Sequence, residues 1–365
     1  MKVKDITSLI ETIAPLHLQE DYDNAGLITG SPDLEVKGIL LCLDSTEAVV
    51  EEAIQSGCNL VIAHHPIVFR GLKKFNGSNY VERTIIKALQ NNIAIYAAHT
   101  NLDNVLQQGV NEKIASKIGL QNLAILQPKS GLLCKLIIYT PPANKNAIQD
   151  ILFANGAGSI GLYSECSFTT AGTGTFKANE GANPSTGTVG HRSEENEDRV
   201  EVLISAHLID KAMAAVKTVH PYEEIAYDII PIANKHQYIG SGVVGILPTA
   251  MAPSDFLKHL KDSMSLDVIR FTPFSKNIQK VAVCGGSGSF LINVAGRQGV
   301  DAFVTADVKY HEYFDVEKRY MLCDIGHYES EIYTLEIFSA VIKEKFPNFA
   351  VIFCKENTNP IQYFK

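Results

Sequence analysis

The chain has 365 residues, 46% of them hydrophobic and 20% charged, which excludes a disordered protein and provides enough apolar residues for two or three cores. Its formal net charge of −8, with no cluster of Lys and Arg, argues against nucleic acid as a partner. No signal-peptide core, no run of eighteen apolar residues and no C-x-x-C pair occurs, so we expect a soluble, cytoplasmic protein with reduced thiols and no membrane partner.

The N-terminal part of the chain has the pattern of an α/β protein. Apolar residues from Val3 to Ile13 fall on one helical face, and a polar loop follows. Short apolar runs then predict buried parallel strands, separated by helix-length segments, at 38–43, 59–63 and 93–98. A further helix is predicted over 111–118, with Gly119 as its C-terminal cap.

The middle of the chain, roughly 130–232, interrupts this pattern with strands of its own at 132–139 and 200–204. Between them, the segment 171–199 is rich in Gly, Thr, Asn, Ser and Glu and is too polar for a core. It predicts a long connection or an exposed hairpin. We therefore predict two domains: a discontinuous α/β domain and an inserted one. Their predicted bounds are 1–129 with 233–365, and 130–232.

After the insertion, the strand and helix pattern resumes, with predicted strands at 281–284, 301–305 and 320–323. The two halves look alike, because fifteen positions separate Cys42 from Gly57 and Cys284 from Gly299. Eight positions beyond each of these glycines, a polar residue ends a strand. These two residues are His65 and Asp307. An internal duplication explains the match, and the alternative is chance, since βαβ units share composition and strand length.

A histidine pair directly follows the second predicted strand. His64 and His65 stand at the carboxyl end of the strand, where α/β sheets place their functional groups. Adjacent residues on an extended chain diverge, so the pair can serve two neighbouring metals, or one metal if the backbone turns at Pro66. Two hydrogen-bonded surface histidines are the alternative.

Carboxylates and a further histidine complete a candidate metal-binding set. His327 and Glu331 share one face at the start of a helix, and Asp103 follows a strand. Taken singly, the first two could be a helix-end pair and Asp103 a helix cap or turn residue. Together with the histidine pair, they form a mixed N/O set suited to zinc, iron or manganese. Two carboxylates can bridge two metals that activate a water, which points to hydrolytic chemistry.

Five motifs in this order and spacing resemble the GTP cyclohydrolase I type 2 homolog family, also described as NGG-interacting-factor-three-like. The motifs span 23–27, 63–67, 99–104, 305–311 and 326–331. The resemblance implies two divalent transition-metal ions per chain and a homohexamer. It places the metal ligands on His64, His65, Asp103, His327 and Glu331.

Other residues in or near these motifs are candidates for supporting roles. His99 and His311 are candidate proton shuttles, and Asp307 and Lys309 are candidates for the pocket or for contacts to the ligands. The glycine-rich turn after the strand at 281–284 could offer backbone N–H groups to a phosphate, although a tight strand-to-helix turn explains it equally well. The residues of this possible phosphate site are Gly286, Ser287 and Gly288.

The inserted segment resembles the extra domain of longer family members, which is similar to the ferredoxin-like PII and CutA folds. This resemblance implies an oligomerisation or regulatory role. The fold class we predict is therefore α/β, with a discontinuous, internally duplicated domain of mixed sheets and a ferredoxin-like α+β insertion.

Three functions fit this sequence. The family name implies a metal-dependent hydrolase in which an activated water attacks GTP or a related nucleotide. A non-catalytic protein is the alternative; it would bind or deliver metal and sense a ligand through the insertion. A phosphoesterase that uses the same two metals is the third.

Overall fold

The structure is a computed structural model that describes residues 1–364. The chain divides into two compact units: Met1–Pro128 together with the chain from Tyr238 onward, and Lys129–Gln237. The boundaries predicted from the sequence lie after residues 129 and 232. They differ from the boundaries in the structure by one residue and by five residues. Among the described residues, no helix is long and apolar enough to cross a membrane.

The first part of the larger unit contains the elements up to the insertion. Its helices are α1 (Val3–Ile13), α2 (Glu47–Gln55), α3 (Tyr80–Gln90), α4 (Thr100–Asp103) and α5 (Val110–Lys117). Its strands are β1 (Gly26–Thr29), β2 (Ile39–Asp44), β3 (Leu60–His65), β4 (Ala94–Ala97) and β5 (Gln121–Pro128).

The smaller unit has the element order βαββαβ. Its elements are β6 (Leu133–Thr140), α6 (Lys145–Ala154), β7 (Ser167–Lys177), β8 (Arg192–Ser205), α7 (Ile209–Val216) and β9 (Tyr227–Pro231). They form one antiparallel sheet with the strand order β7-β8-β6-β9. The polar segment 171–199 is largely an exposed hairpin, since β7 and β8 pair as far as Lys177 and Arg192.

The larger unit resumes after the insertion with ten elements. Its strands are β10 (Gly240–Met251), β11 (Arg270–Phe271), β12 (Ile278–Ser287), β13 (Ala302–Ala306), β14 (Met321–Asp324) and β15 (Val351–Phe353). Its helices are α8 (Pro253–Ser263), α9 (Ile292–Arg297), α10 (His327–Glu331) and α11 (Thr334–Lys345). Short 3-10 helices lie at Leu16–Leu18, Ser289–Leu291 and Tyr310–Val316 in the larger unit, and at Pro142–Asn144 and Ala206–Leu208 in the smaller unit.

Two mixed sheets form the larger unit, with strand orders β1-β4-β3-β2-β15 and β11-β14-β13-β12-β10-β5. In each sheet, three consecutive strands run parallel, and a short strand that precedes them in the chain pairs antiparallel with the third. The carboxyl ends of the parallel strands therefore lie at one edge of each sheet, where loops can carry functional groups. The predicted mixed α/β class is confirmed.

Burial explains why these segments form parallel strands. Every residue of β4 is buried, as are the first five residues of both β2 and β3. Strands that are covered on both faces have continuous apolar sequences rather than alternating ones. A core of β2 and β3 side chains packs with Val49, Val50 and Ala53 of α2 and Ala88 of α3. This rigid core fixes the strand ends that carry His64, His65 and Asp44.

Candidate metal centre

The candidate metal centre is built around one buried carboxylate, that of Glu331, which is 2% exposed. Its Oε1 atom lies 3.7 Å from Nε2 of His64. Its Oε2 atom lies 2.9 Å from Nε2 of His65 and 3.0 Å from Nε2 of His327. The two oxygens of this carboxylate therefore face different imidazoles.

The glycine-rich turn at the end of β12 makes room for this carboxylate. Gly286 has φ of +58°, and a Cβ atom there would collide with Oε1 of Glu331. Its backbone N–H donates to the hydroxyl of Ser330 at 2.9 Å, and that of Gly285 donates to Oδ1 of Asn111 at 2.9 Å. These two N–H groups are therefore already used, which leaves them unavailable to a phosphate.

Two buried polar atoms near Glu331 have no hydrogen-bond partner among the described residues. They are Nε2 of His64 and Oδ1 of Asp103, which lie 3.7 Å apart. Burying an unpaired nitrogen and an unpaired carboxylate oxygen is costly, because both lose their hydration. A cation between them would satisfy both atoms, so the residues at this position fit a metal ion.

The imidazoles that face Glu331 are held through their other nitrogen. Nδ1 of His64 donates to the carbonyl oxygen of Ala98 at 2.8 Å. Nδ1 of His65 donates to Asp44 at 2.8 Å, and Nδ1 of His327 donates to Asp307 at 2.7 Å. Such contacts fix the ring and leave Nε2 for a metal.

Three groups of three residues each bring one donor atom per residue within 4.8 Å of the others, close enough to hold a metal ion. The groups are His64 with Asp103 and Glu331, His65 with His327 and Glu331, and His64 with His65 and His99. All five ligands implied by the resemblance thus lie together, and these side chains could hold metal ions.

The charges at the centre follow from the burial of its side chains and from their hydrogen bonds to one another. Burial lowers the pKa of His64. Burial also opposes charge on His65 and His327, but hydrogen bonds to carboxylates raise the pKa of His65 to about 10 and that of His327 to about 9. Burial raises the pKa of Asp103, and the nearby Glu331 charge raises it further. Metal binding must displace protons from His65 and His327, so its affinity increases with pH across the neutral range.

His99 is held beside these imidazoles in the same manner. Its Nδ1 donates to Asp23 at 2.8 Å, and its ring centroid lies 5.3 Å from those of His64 and His65. The second oxygen of Asp23 accepts hydrogen bonds from the backbone N–H and the hydroxyl of Thr100. With its orientation fixed, His99 can exchange a proton with a molecule in the neighbouring cavity.

A cavity of about 480 Å³ opens beside the centre. Its lining includes His65, His99, Asp103, His327 and Glu331. This volume suits a small molecule.

Other predicted site residues lie at or beyond the edge of this cavity. Ser287 lines it, and Asp307 contacts His327, as described above. His311 is exposed on a 3-10 helix, where its ring packs edge-on against Tyr310. Neither His311 nor Lys309 is part of the described lining. A Cβ atom on Gly288 would collide with the hydroxyl of Thr305, so this glycine serves the packing of the turn.

Asp44 and Asp23 were not assigned a role from the sequence. Asp44 ends β2, and its Cα pairs with that of His65 at the end of β3. An acidic residue at the end of a parallel strand next to the histidine strand was the available signal. Asp23 lies in a loop inside one of the five motifs, and only the folded chain brings it to His99.

The Asp44→Asn substitution is expected to weaken metal binding about 10- to 100-fold. The amide is neutral, so the ring of His65 loses its hydrogen bond to a charged carboxylate and is a weaker metal ligand. Thr358 also donates to this carboxylate at 2.7 Å, so Asn keeps part of the contact network. Equilibrium titration with Zn²⁺ measures the change. The control is Asp262→Asn, which alters an exposed carboxylate on α8. Equal affinities for the two variants would contradict the role of Asp44.

Known proteins resemble this chain over nearly its whole length. The sequence model of the Duf34/NIF3 (NGG1p interacting factor 3) family matches residues 1–360, a range that includes all the donors named above. The chain belongs to the DUF34/NIF3 family. The family resemblance seen in the five motifs is therefore confirmed.

Individual relatives of the DUF34/NIF3 family match over nearly their whole length. A Halalkalibacterium halodurans protein named GTP cyclohydrolase 1 type 2 homolog is 35% identical, over 98% of each chain. The solved structure of a Bacillus cereus protein related to NIF3 is 36% identical with a TM-score of 0.84, and covers 100% of this chain and 99% of that one. A Staphylococcus aureus structure is 32% identical with a TM-score of 0.79, at the same coverage.

Proposed function

We propose that this chain is a metal-dependent hydrolase that holds two divalent transition-metal ions, zinc, iron or manganese, around Glu331. One observation carries the proposal: the two oxygens of Glu331 face two different sets of donors. His64 and Asp103 form the first set, and His65 and His327 form the second. Two bound metal ions would supply Lewis acidity and an activated water.

The residues of the chain have distinct parts in this function. The contacts to Asp44, Asp307 and the Ala98 carbonyl keep each Nε2 atom directed at the centre. His99, oriented by Asp23, keeps the nitrogen that does not contact Asp23 free to exchange a proton with a bound molecule. Its position in the cavity lining gives it access to a bound molecule.

The experiment compares metal content and turnover in one set of samples. Metal-loaded wild-type protein is incubated with guanosine, GTP and p-nitrophenyl phosphate, and the products are separated by chromatography. We expect His99→Gln to lower kcat about 100-fold for the hydrolysed compound, while the metal content stays unchanged. The matched control is His191→Gln, an exposed histidine of the inserted unit.

The outcomes separate the candidate functions. Metal-dependent opening of a purine ring supports the proposed hydrolase, and hydrolysis of p-nitrophenyl phosphate alone would instead indicate a phosphoesterase. Metal binding without turnover of any compound would contradict the hydrolase and favour a binding or delivery protein.

Further proposals concern the whole chain. The order βαββαβ with strand order β7-β8-β6-β9 supports a ferredoxin-like insertion of the PII or CutA type, with an oligomerisation or regulatory role. The matching strand order of the two sheets of the larger unit supports an internal duplication. We also propose a homohexamer and, because all seven cysteines are unpaired, a cytoplasmic location.

A further inference from the structure

The charged residues that line the cavity are acidic or are histidines. Four carboxylates contribute to the lining: Glu20, Asp44, Asp103 and Glu331. Within residues 1–364, no Lys or Arg contributes to it. Proteins bind phosphate groups mainly through Arg, Lys and free backbone N–H groups at helix N-termini. The lining offers neither Lys nor Arg, and the N–H groups of Gly285 and Gly286 are already used, so a phosphate beyond the reach of the metal centre would find none of these groups.

Three aromatic side chains line the same cavity although they are largely exposed. Tyr22 is 71% exposed, Phe69 is 50% exposed and Phe290 is 61% exposed. They come from separate segments: the loop before β1, the loop after β3 and the 3-10 helix after β12. Exposed rings gathered around a cavity differ from the scattered apolar residues of an ordinary surface, and they mark a binding site.

The position of Phe69 connects these rings with the proposed chemistry. Its ring lies edge-on to His99, with centroids 5.6 Å apart and an interplanar angle of 82°. A flat molecule that contacts the face of Phe69 would therefore lie next to the imidazole that exchanges protons. Base and aromatic rings stack favourably whatever the base, because each presents a π face.

Uncharged hydroxyl groups complete the lining. Ser241 and Ser287 are among the residues that line the cavity. A hydroxyl both donates and accepts, so it suits the ring nitrogens, carbonyls and amino groups of a neutral heterocycle. Unlike Lys or Arg, it does not select for a negative charge.

We propose that the substrate of this site is an uncharged or cationic heteroaromatic compound of the nucleobase or nucleoside class, without a polyphosphate. The proposal rests on the hydrolase function given above. The ring contacts Phe69 and Phe290, and its polar edge contacts Ser241 and Ser287. If the purine of GTP faced the metal centre, its triphosphate would lie away from the metals, along a lining to which residues 1–364 contribute no Lys or Arg.

Isothermal titration of the metal-loaded wild-type protein tests this substrate class. The probes are guanosine, 7-methylguanosine, which carries a fixed positive charge, and GTP, with excess Mg²⁺ to prevent GTP from removing the metals. We expect guanosine and 7-methylguanosine to bind at least about tenfold more tightly than GTP. The same titration is repeated with single aromatic variants.

The variants Phe69→Ala and Phe290→Ala are expected to weaken guanosine binding roughly 5- to 100-fold, the usual effect of removing one stacked ring. The control is Phe314→Ala, a 64% exposed ring outside the described lining. Its affinity for guanosine should equal that of the wild type. Weaker guanosine binding in the two cavity variants, with unchanged binding in the control, would support the contact of Phe69 and Phe290 with the base.

Three results would overturn the proposal: tighter binding of GTP than of guanosine, no binding of any probe, or wild-type affinity in both cavity variants. If GTP binds more tightly and Lys73→Ala with Lys74→Ala removes that preference, then the exposed loop after Phe69 supplies the missing cations. These affinities are measured without turnover. A failed hydrolase assay therefore leaves the binding order intact, and a failed binding order leaves the metal-dependent hydrolysis intact.

Discussion

Replacing Glu331 by Gln is expected to abolish binding of both metal ions. One oxygen of the carboxylate faces His64 and the other faces His65 and His327, so both metal positions lose a ligand at once. The amide of Gln keeps the volume of the side chain but removes the negative charge and one acceptor. Metal content measured by plasma mass spectrometry should fall from about two ions per chain to well below one.

The control for this substitution is Glu336→Gln on α11. This glutamate forms a partly exposed ion pair with Lys113 and lies outside the described cavity lining. Its metal content should equal that of the wild type. Circular dichroism of both variants checks that they are folded. If Glu331→Gln retained both metal ions, the bridging role of this carboxylate would be wrong.

Removal of the metals is expected to destabilise the protein strongly. Without a cation, Nε2 of His64 and Oδ1 of Asp103 remain buried without partners. A ligand present at 100 times its dissociation constant stabilises the folded state by about 2.7 kcal/mol, so two such sites contribute about 5 kcal/mol. For a unit of this size, the difference corresponds to a rise in the unfolding midpoint of roughly 10 °C or more.

Differential scanning calorimetry of metal-loaded and chelator-dialysed samples measures this shift. The Glu331→Gln variant provides the control, because chelation should leave its midpoint unchanged. Equal midpoints for wild-type protein with and without metal would show that the centre does not hold a tightly bound ion.

The fold of the larger unit could be predicted largely from apolar runs. Buried parallel strands are apolar throughout, so β2, β3 and β4 were found with ends displaced by only one or two residues. The first eight residues of β8 were less clear. They are polar and mostly exposed or half-buried, and only the folded chain shows that they pair with β7 and, at Asp198 and Arg199, also with β6.

Site residues that belong to sequence motifs could be predicted. Site residues whose role depends only on tertiary contacts could not. His64 and Glu331 stand in motifs of recognisable spacing, whereas Asp44 is a single acidic residue whose role depends on its register with His65. The sequence alone could not show whether the glycine-rich turn at Gly286 binds a phosphate. A glycine that makes room for a carboxylate looks the same as one that approaches a phosphate.

The position of His311 also could not be predicted from its motif. Its motif suggested a role near the metals, but its distance from them depends on the path of the chain after β13. That path turns into a 3-10 helix, which exposes the ring at the surface beside Tyr310. His99, in contrast, is tied to Asp23 and remains in the cavity lining.

Anomalous X-ray scattering from crystals of the metal-loaded protein tests the two-metal centre most directly. We predict two peaks about 3.5–4 Å apart, one bonded to His64 and Asp103 and the other to His65 and His327, with Glu331 shared. A single peak, or two peaks without Glu331 between them, would contradict this centre.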